Sequence, residues 1–154
     1  MDLKKIEEQV RDNMRLAWKN IIQEKIRTNP PDFNYIVILY KEMKHKITHI
    51  IKKDSTRYKE IDEKLDEKLF EQMIKNDAFT RADFLILVNY VFNLCISLGS
   101  PSRDKDTNIF INELCKDINT EYYIYTVIPN FFLKINICID WIYEDLGKLV
   151  NQSI

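Results

Sequence analysis

Glycine occurs at only two of 154 positions, 99 and 147, and proline at only four. Strand-rich folds turn often and need glycine to do it, so this chain has little means to build one. Helices need no such residues along their length. The apolar residues agree. Ile6, Val10, Met14, Ala17 (with Trp18), Ile21 and Ile22 recur at three- and four-residue steps, the period of one helical face. The expectation is an all-α fold, a single helical bundle of about six helices around a central apolar helix, in one domain spanning 1–154.

The first helix is expected over Leu3 to Arg27, stopped by Asn29-Pro30-Pro31. Pro31 and Asp32 suit the start of a second helix, reaching about Lys53 and turning Phe33, Ile36, Val37, Tyr40, Met43, Ile47, Ile50 and Ile51 inward. A third is expected over Thr56 to Lys75, capped by Asp54 or Ser55, with Glu60, Asp62, Glu63, Asp66, Glu67 and Glu71 on its outer face. Thr80 and Asp83 form a capping-box pattern that opens a fourth helix, Arg81 to Leu98. This helix is apolar nearly all round and is expected at the centre. Gly99 is expected to end it in a left-handed C-cap. Ser100 then caps a fifth helix, with Pro101 at its first position. A last helical region starts at Thr120 and is interrupted at Pro129.

Composition excludes several function classes. The formal net charge is −1, so no global field recruits nucleic acid or an anionic membrane. Cys95, Cys115 and Cys138 lie singly in apolar text, which argues for core thiols in a reducing, cytoplasmic compartment. The N-terminus has no apolar signal core, and Asn89, Asn93 and Ser97 interrupt the most apolar window, so no membrane insertion is expected. Heavy use of Ile, Lys and Asn over Ala fits an AT-rich genome, such as that of a giant virus or a protist.

Chemistry-bearing motifs are few. His45 and His49 share a helix face at a zinc-compatible spacing, yet the segment lacks a glutamate after the first histidine, and two solvated histidines explain it as well. Lys41, Lys44, Lys46, Lys52 and Lys53 form a basic patch that either touches phosphates or complements the acidic third helix. There is no glycine-rich phosphate loop, nucleophile elbow or Cys-x-x-Cys pair, so neither catalytic residue, metal nor cofactor is expected. Asn89, Asn93 and Ser97 either bond across helices or face a partner. The segment Ser100-Pro101-Ser102-Arg103-Asp104 reads as a helix–helix corner.

The ordered set Ala17-Trp18, NPPDFNYIVILYKEMKHKI, Ile61 to Asp66, LCISLGSPSRDKD and LKINICIDWIYEDL resembles the T-complex protein 11 family. Its members carry a Pro-Pro-acid-aromatic helix entry and a Cys-x-Pro-x-Arg-Asp joint in this order. Here Cys95 lies further upstream of the joint, Gly99-Ser100 precede Pro101, and Asn136 stands where aspartate is common. The resemblance implies an all-helical intracellular protein linked to cyclic-AMP and protein-kinase-A signalling and, in animals, to sperm function. It implies no catalytic residues. Family members are usually longer, so the match looks like the N-terminal part of the family domain. An apolar face left uncovered is then expected to meet a protein partner or a second copy through Phe131, Phe132, Ile135, Ile139, Trp141 and Ile142, unless these complete a monomeric core. The competing expectation is nucleic-acid association through the basic second helix.

Overall fold

The structure, a computed structural model, describes residues 2–152, with side chains described through residue 150. Among the described residues there is no strand. Seven α-helices follow one another: α1 (Leu3–Arg27), α2 (Phe33–His49), α3 (Thr56–Lys64), α4 (Glu67–Lys75), α5 (Arg81–Leu98), α6 (Asp104–Thr120) and α7 (Ile128–Gln152). Short 3-10 turns, Pro101–Arg103 and Ile124–Val127, lead into the last two. Counting α3 and α4 as the one expected helix, the bundle has the six helices anticipated.

The helix starts follow their capping residues. Asp2, Asp32, Ser55, Asp66 and Thr80 each accept a hydrogen bond from a backbone N–H in the first turn they precede. At Thr80 the capping box is complete, with the Asp83 carboxylate accepting from the Thr80 N–H at 3.0 Å. Asp66 explains why the expected third helix is two. Its carboxylate accepts from the Leu69 N–H at 3.0 Å, starting a new helix in mid-sequence. Leu65, at the break, is buried. The C-terminal end of α4 closes with two backbone bonds, Ala78 N–H to Met73 C=O and Asp77 N–H to Ile74 C=O. Asp77 adopts the left-handed conformation (φ 52°) that usually selects glycine there.

Gly99 differs from expectation. Its backbone is extended (φ −95°, ψ −176°), and its use is space. A Cβ at this position would stand 2.9 Å from the Cys95 carbonyl oxygen and 3.5 Å from Ile142 Cγ1 of α7. Pro129 does not interrupt the last helix but falls in its first turn, where a missing N–H costs nothing. α2 stops at His49, four residues early.

The centre is held by α7, which packs against α1, α2, α5 and α6. Its buried residues Ile128, Phe131, Phe132, Ile135, Cys138, Ile139 and Ile142 follow the helical period. α5 packs against α6 and α7 and is two-sided. Phe84, Val88, Val91, Phe92, Leu94 and Cys95 are buried, while Ile86, Asn89, Asn93 and Ser97 are exposed. By length and composition alone α5 is long and apolar enough to cross a membrane, the one such helix among the described residues. In this fold one of its sides is core. The buried apolar residues form one continuous cluster, drawing on every α-helix.

Candidate interaction groove

α1 is the least covered helix. Only Ile22 and Ile26, in its last third, are buried. The expected stripe of Ile6, Val10 and Met14 lies open instead, with Met14 68% exposed. A stripe of this period usually faces a core, but here only its last third does. The cause is geometric: the last third of α1 packs on the body of the bundle, and among the described residues the apolar stripe of its first half stays exposed.

Those residues form one wall of a groove of about 530 Å³. Trp18 and Leu133 close its apolar lining, and α2 contributes Lys46. The polar groups are held in place. Arg15 pairs with Asp140 of α7 at 3.0 Å. Lys46 Nζ donates to Asn136 Oδ1 at 2.9 Å, and Asn136 also donates to the Phe132 carbonyl. Thus Asn136, at a position where the family resemblance leads one to expect aspartate, positions a groove lysine. Arg11 and Glu7 complete the rim.

The residues singled out from sequence fall in three places. Phe131, Phe132, Ile135, Ile139 and Ile142 are buried inside the chain's own core, and Trp141 is half-buried. The partner surface expected there is therefore not free, because α7 is wrapped by α1, α2, α5 and α6.

The basic patch is dispersed around α2. Lys44 is held by Asp62 of α3, at 2.8 Å to the carboxylate and 3.1 Å to the backbone carbonyl, whereas Lys46 faces α7. Lys41, Lys52 and Lys53 are exposed. His45 and His49 lie ring to ring at 6.0 Å on the surface. Among the described residues no three potential metal ligands cluster.

The Ser100–Asp104 corner is a joint. Ser100 caps the 3-10 turn, accepting from the Ser102 N–H. The Arg103 guanidinium lies 5.0 Å from the Trp141 ring centre and donates to both oxygens of Asp145, at 3.3 and 3.4 Å. Trp141 stacks in turn on Phe110 of α6 at 5.7 Å. Arg103 therefore binds the α5–α6 corner to α7. Asp104 starts α6 and suits the positive helix end; its Oδ1 is buried without a described partner.

In the polar ladder, Asn89 and Asn93 donate back to carbonyls of their own helix, Leu85 and Asn89. Ser97 accepts from Arg57 of α3, a bond across helices. The thiols of Cys95 and Cys138 are core groups. Burial pushes both up, Cys138 to about 12 against a lowering hydrogen bond from Thr107, so neither is a nucleophile near neutral pH.

One stabilising device had no clear sequence signal. The Arg81 guanidinium, at the start of α5, donates to the Ile118 carbonyl in the last turn of α6 and to the Tyr122 carbonyl just beyond it. Helix C-termini leave such carbonyls unsatisfied, but nothing in sequence says that an arginine about forty residues away supplies them.

A profile described as T-complex protein 11 matches residues 1–123. Human T-complex protein 11-like X-linked protein 1 is 31% identical over 101 residues, and human T-complex protein 11 homolog 30% over the same length. Each match covers 65% of this chain and 20% of the relative, so the chain spans about a fifth of the length of these curated proteins. No solved structure matches it. The profile includes α1, the Pro-Pro-Asp entry and the Ser-Pro-Ser-Arg-Asp corner, and with four-fifths of the chain matched, the protein belongs to the T-complex protein 11 family.

Proposed function

We propose that this chain is a non-enzymatic helical interaction module, and that the groove between α1 and α7 receives the apolar face of a helix from a protein partner or a second copy. The observation that carries this reading is the open stripe of Ile6, Val10 and Met14 along one wall of a groove with charged residues at its rim. A stripe at steps of four on one helix is matched by apolar residues at three- and four-residue steps on another. An isolated helix of this kind gains most of its stability from covering that face. By family resemblance the proposed setting is cyclic-AMP and protein-kinase-A-type signalling, or virus–host interaction if the genome is viral.

Val10→Glu/Met14→Glu tests this. Both positions are exposed, so the melting temperature is expected to change by no more than about 2 °C. The proteins retained by the native chain in affinity purification from its own cell, identified by mass spectrometry, should be lost. Recovery of the same proteins by the folded double variant contradicts the groove assignment. Sedimentation separates the two occupants: a species of twice 18.5 kDa that the same substitutions dissociate identifies a second copy.

A further inference from the structure

A second cavity, of about 200 Å³, opens between α4 and α5 and shares no lining residue with the groove. Aromatic rings line it. Tyr40 and Phe70 stack at 4.0 Å with 8° between their planes. Phe79 meets Phe70 edge-on at 5.4 Å, and Tyr90 stands on the α5 side. Two carboxylates, Asp66 and Asp83, also line it.

Each carboxylate commits one oxygen to a helix cap: Asp66 Oδ1 to the Leu69 N–H, and Asp83 Oδ2 to the Thr80 N–H. Among the described residues no cation pairs with either. A cation does already sit at one ring, with Lys64 Nζ 5.6 Å from the Tyr90 centroid. Burial raises the pKa values of Tyr40 and Tyr90, and the negative charges of Asp66 and Glu60, respectively, add to the effect. Asp66 near Tyr40 and Glu60 near Tyr90 supply negative charge to the cleft, partly offset at Tyr90 by Arg57.

Ring faces attract cations through their quadrupole. Apart from Lys64, the rest of the lining is apolar: Leu65, Leu69, Met73, Ile86 and Leu87. A bare ammonium is strongly hydrated and loses that hydration on entering such a lining. A methylated ammonium keeps the charge and presents carbon to the walls. We propose that this cleft binds the methylated ammonium of a partner's lysine side chain, displacing Lys64 from the Tyr90 ring. The assignment stands apart from the groove and does not depend on it.

The probes are Nα-acetyl-Nε-trimethyllysine amide and its neutral isostere carrying a tert-butyl group in place of the trimethylammonium. Each is titrated into the full chain while the ring resonances of Tyr90 and Phe79 are followed by NMR. The cation should bind roughly tenfold more tightly than the isostere. Lys64→Met should tighten the cation several-fold by removing its competitor. Tyr90→Leu, checked for folding by circular dichroism, should abolish the preference. Equal binding of the two probes, no ring shifts with either, or weaker cation binding by Lys64→Met would overturn the proposal.

Discussion

Phe131→Ala is expected to destabilise the protein by about 3–5 kcal/mol, the range for deleting a large buried aromatic side chain. Phe131 is 1% exposed and lies between α5 and its neighbour on α7. Its ring meets Phe84 at 5.4 Å, Phe92 at 6.2 Å and Phe132 at 5.0 Å, each close to edge-on. Removing it deletes three favourable ring contacts and leaves a void that close-packed neighbours fill only partly. For a chain of this length the melting temperature should fall by roughly 10–15 °C. The same substitution distinguishes core from interface. A residue waiting for a partner would cost the isolated chain under about 1 kcal/mol, and that result in a thermal or urea melt would contradict the packing described.

The second large effect is expected at Arg103. Its guanidinium contacts two oxygens of Asp145, comes within 3.9 Å of Glu144, and covers the Trp141 ring. The side chain is partly exposed, so solvent discounts the charge pairing. The ring contact adds to it, and together Arg103→Ala should cost roughly 1–2 kcal/mol. Arg103→Lys should recover little, because a lysine supplies neither the planar fork nor the stack. A double-mutant cycle with Asp145→Ala isolates the pair. The Arg103→Ala/Asp104→Ala protein is the stricter test: stability equal to that of the native chain would show that the corner does not orient α5 and α6 against α7.

Local chemistry was legible in the sequence and long-range closure was not. The bounds of α1 and α5 follow from period and caps, and the Thr80–Asp83 box is where its residues suggest. The break at Leu65–Asp66 leaves no clear mark in sequence, because the surrounding charged text satisfies a continuous helix equally well. Only the buried position of Leu65 and the cap made by Asp66 separate α3 from α4. Gly99 ends α5 as its position suggests, but for a different cause, since its closeness to Ile142 depends on where α7 lies.

A sequence apolar all round points to α5 for the central position. α7 holds it instead, since centrality depends on how many neighbours a helix meets, and composition records only what could be buried. The open half of α1 was hidden for the same reason. An amphipathic stripe looks identical whether the chain covers it or leaves it bare. Only the fold shows that Ile22 and Ile26 reach the core while Val10 and Met14 do not.

Amide hydrogen exchange on the isolated chain, at a concentration where sedimentation gives 18.5 kDa, tests this uncovered half-helix most directly. The account predicts weak protection from Leu3 to Met14, rising through Ile22 and Ile26 to the full protection of α7 around Ile135 and Ile139. Protection of Leu3 to Met14 equal to that of α7 in the monomer would contradict it, because the groove would then already be closed by the chain itself.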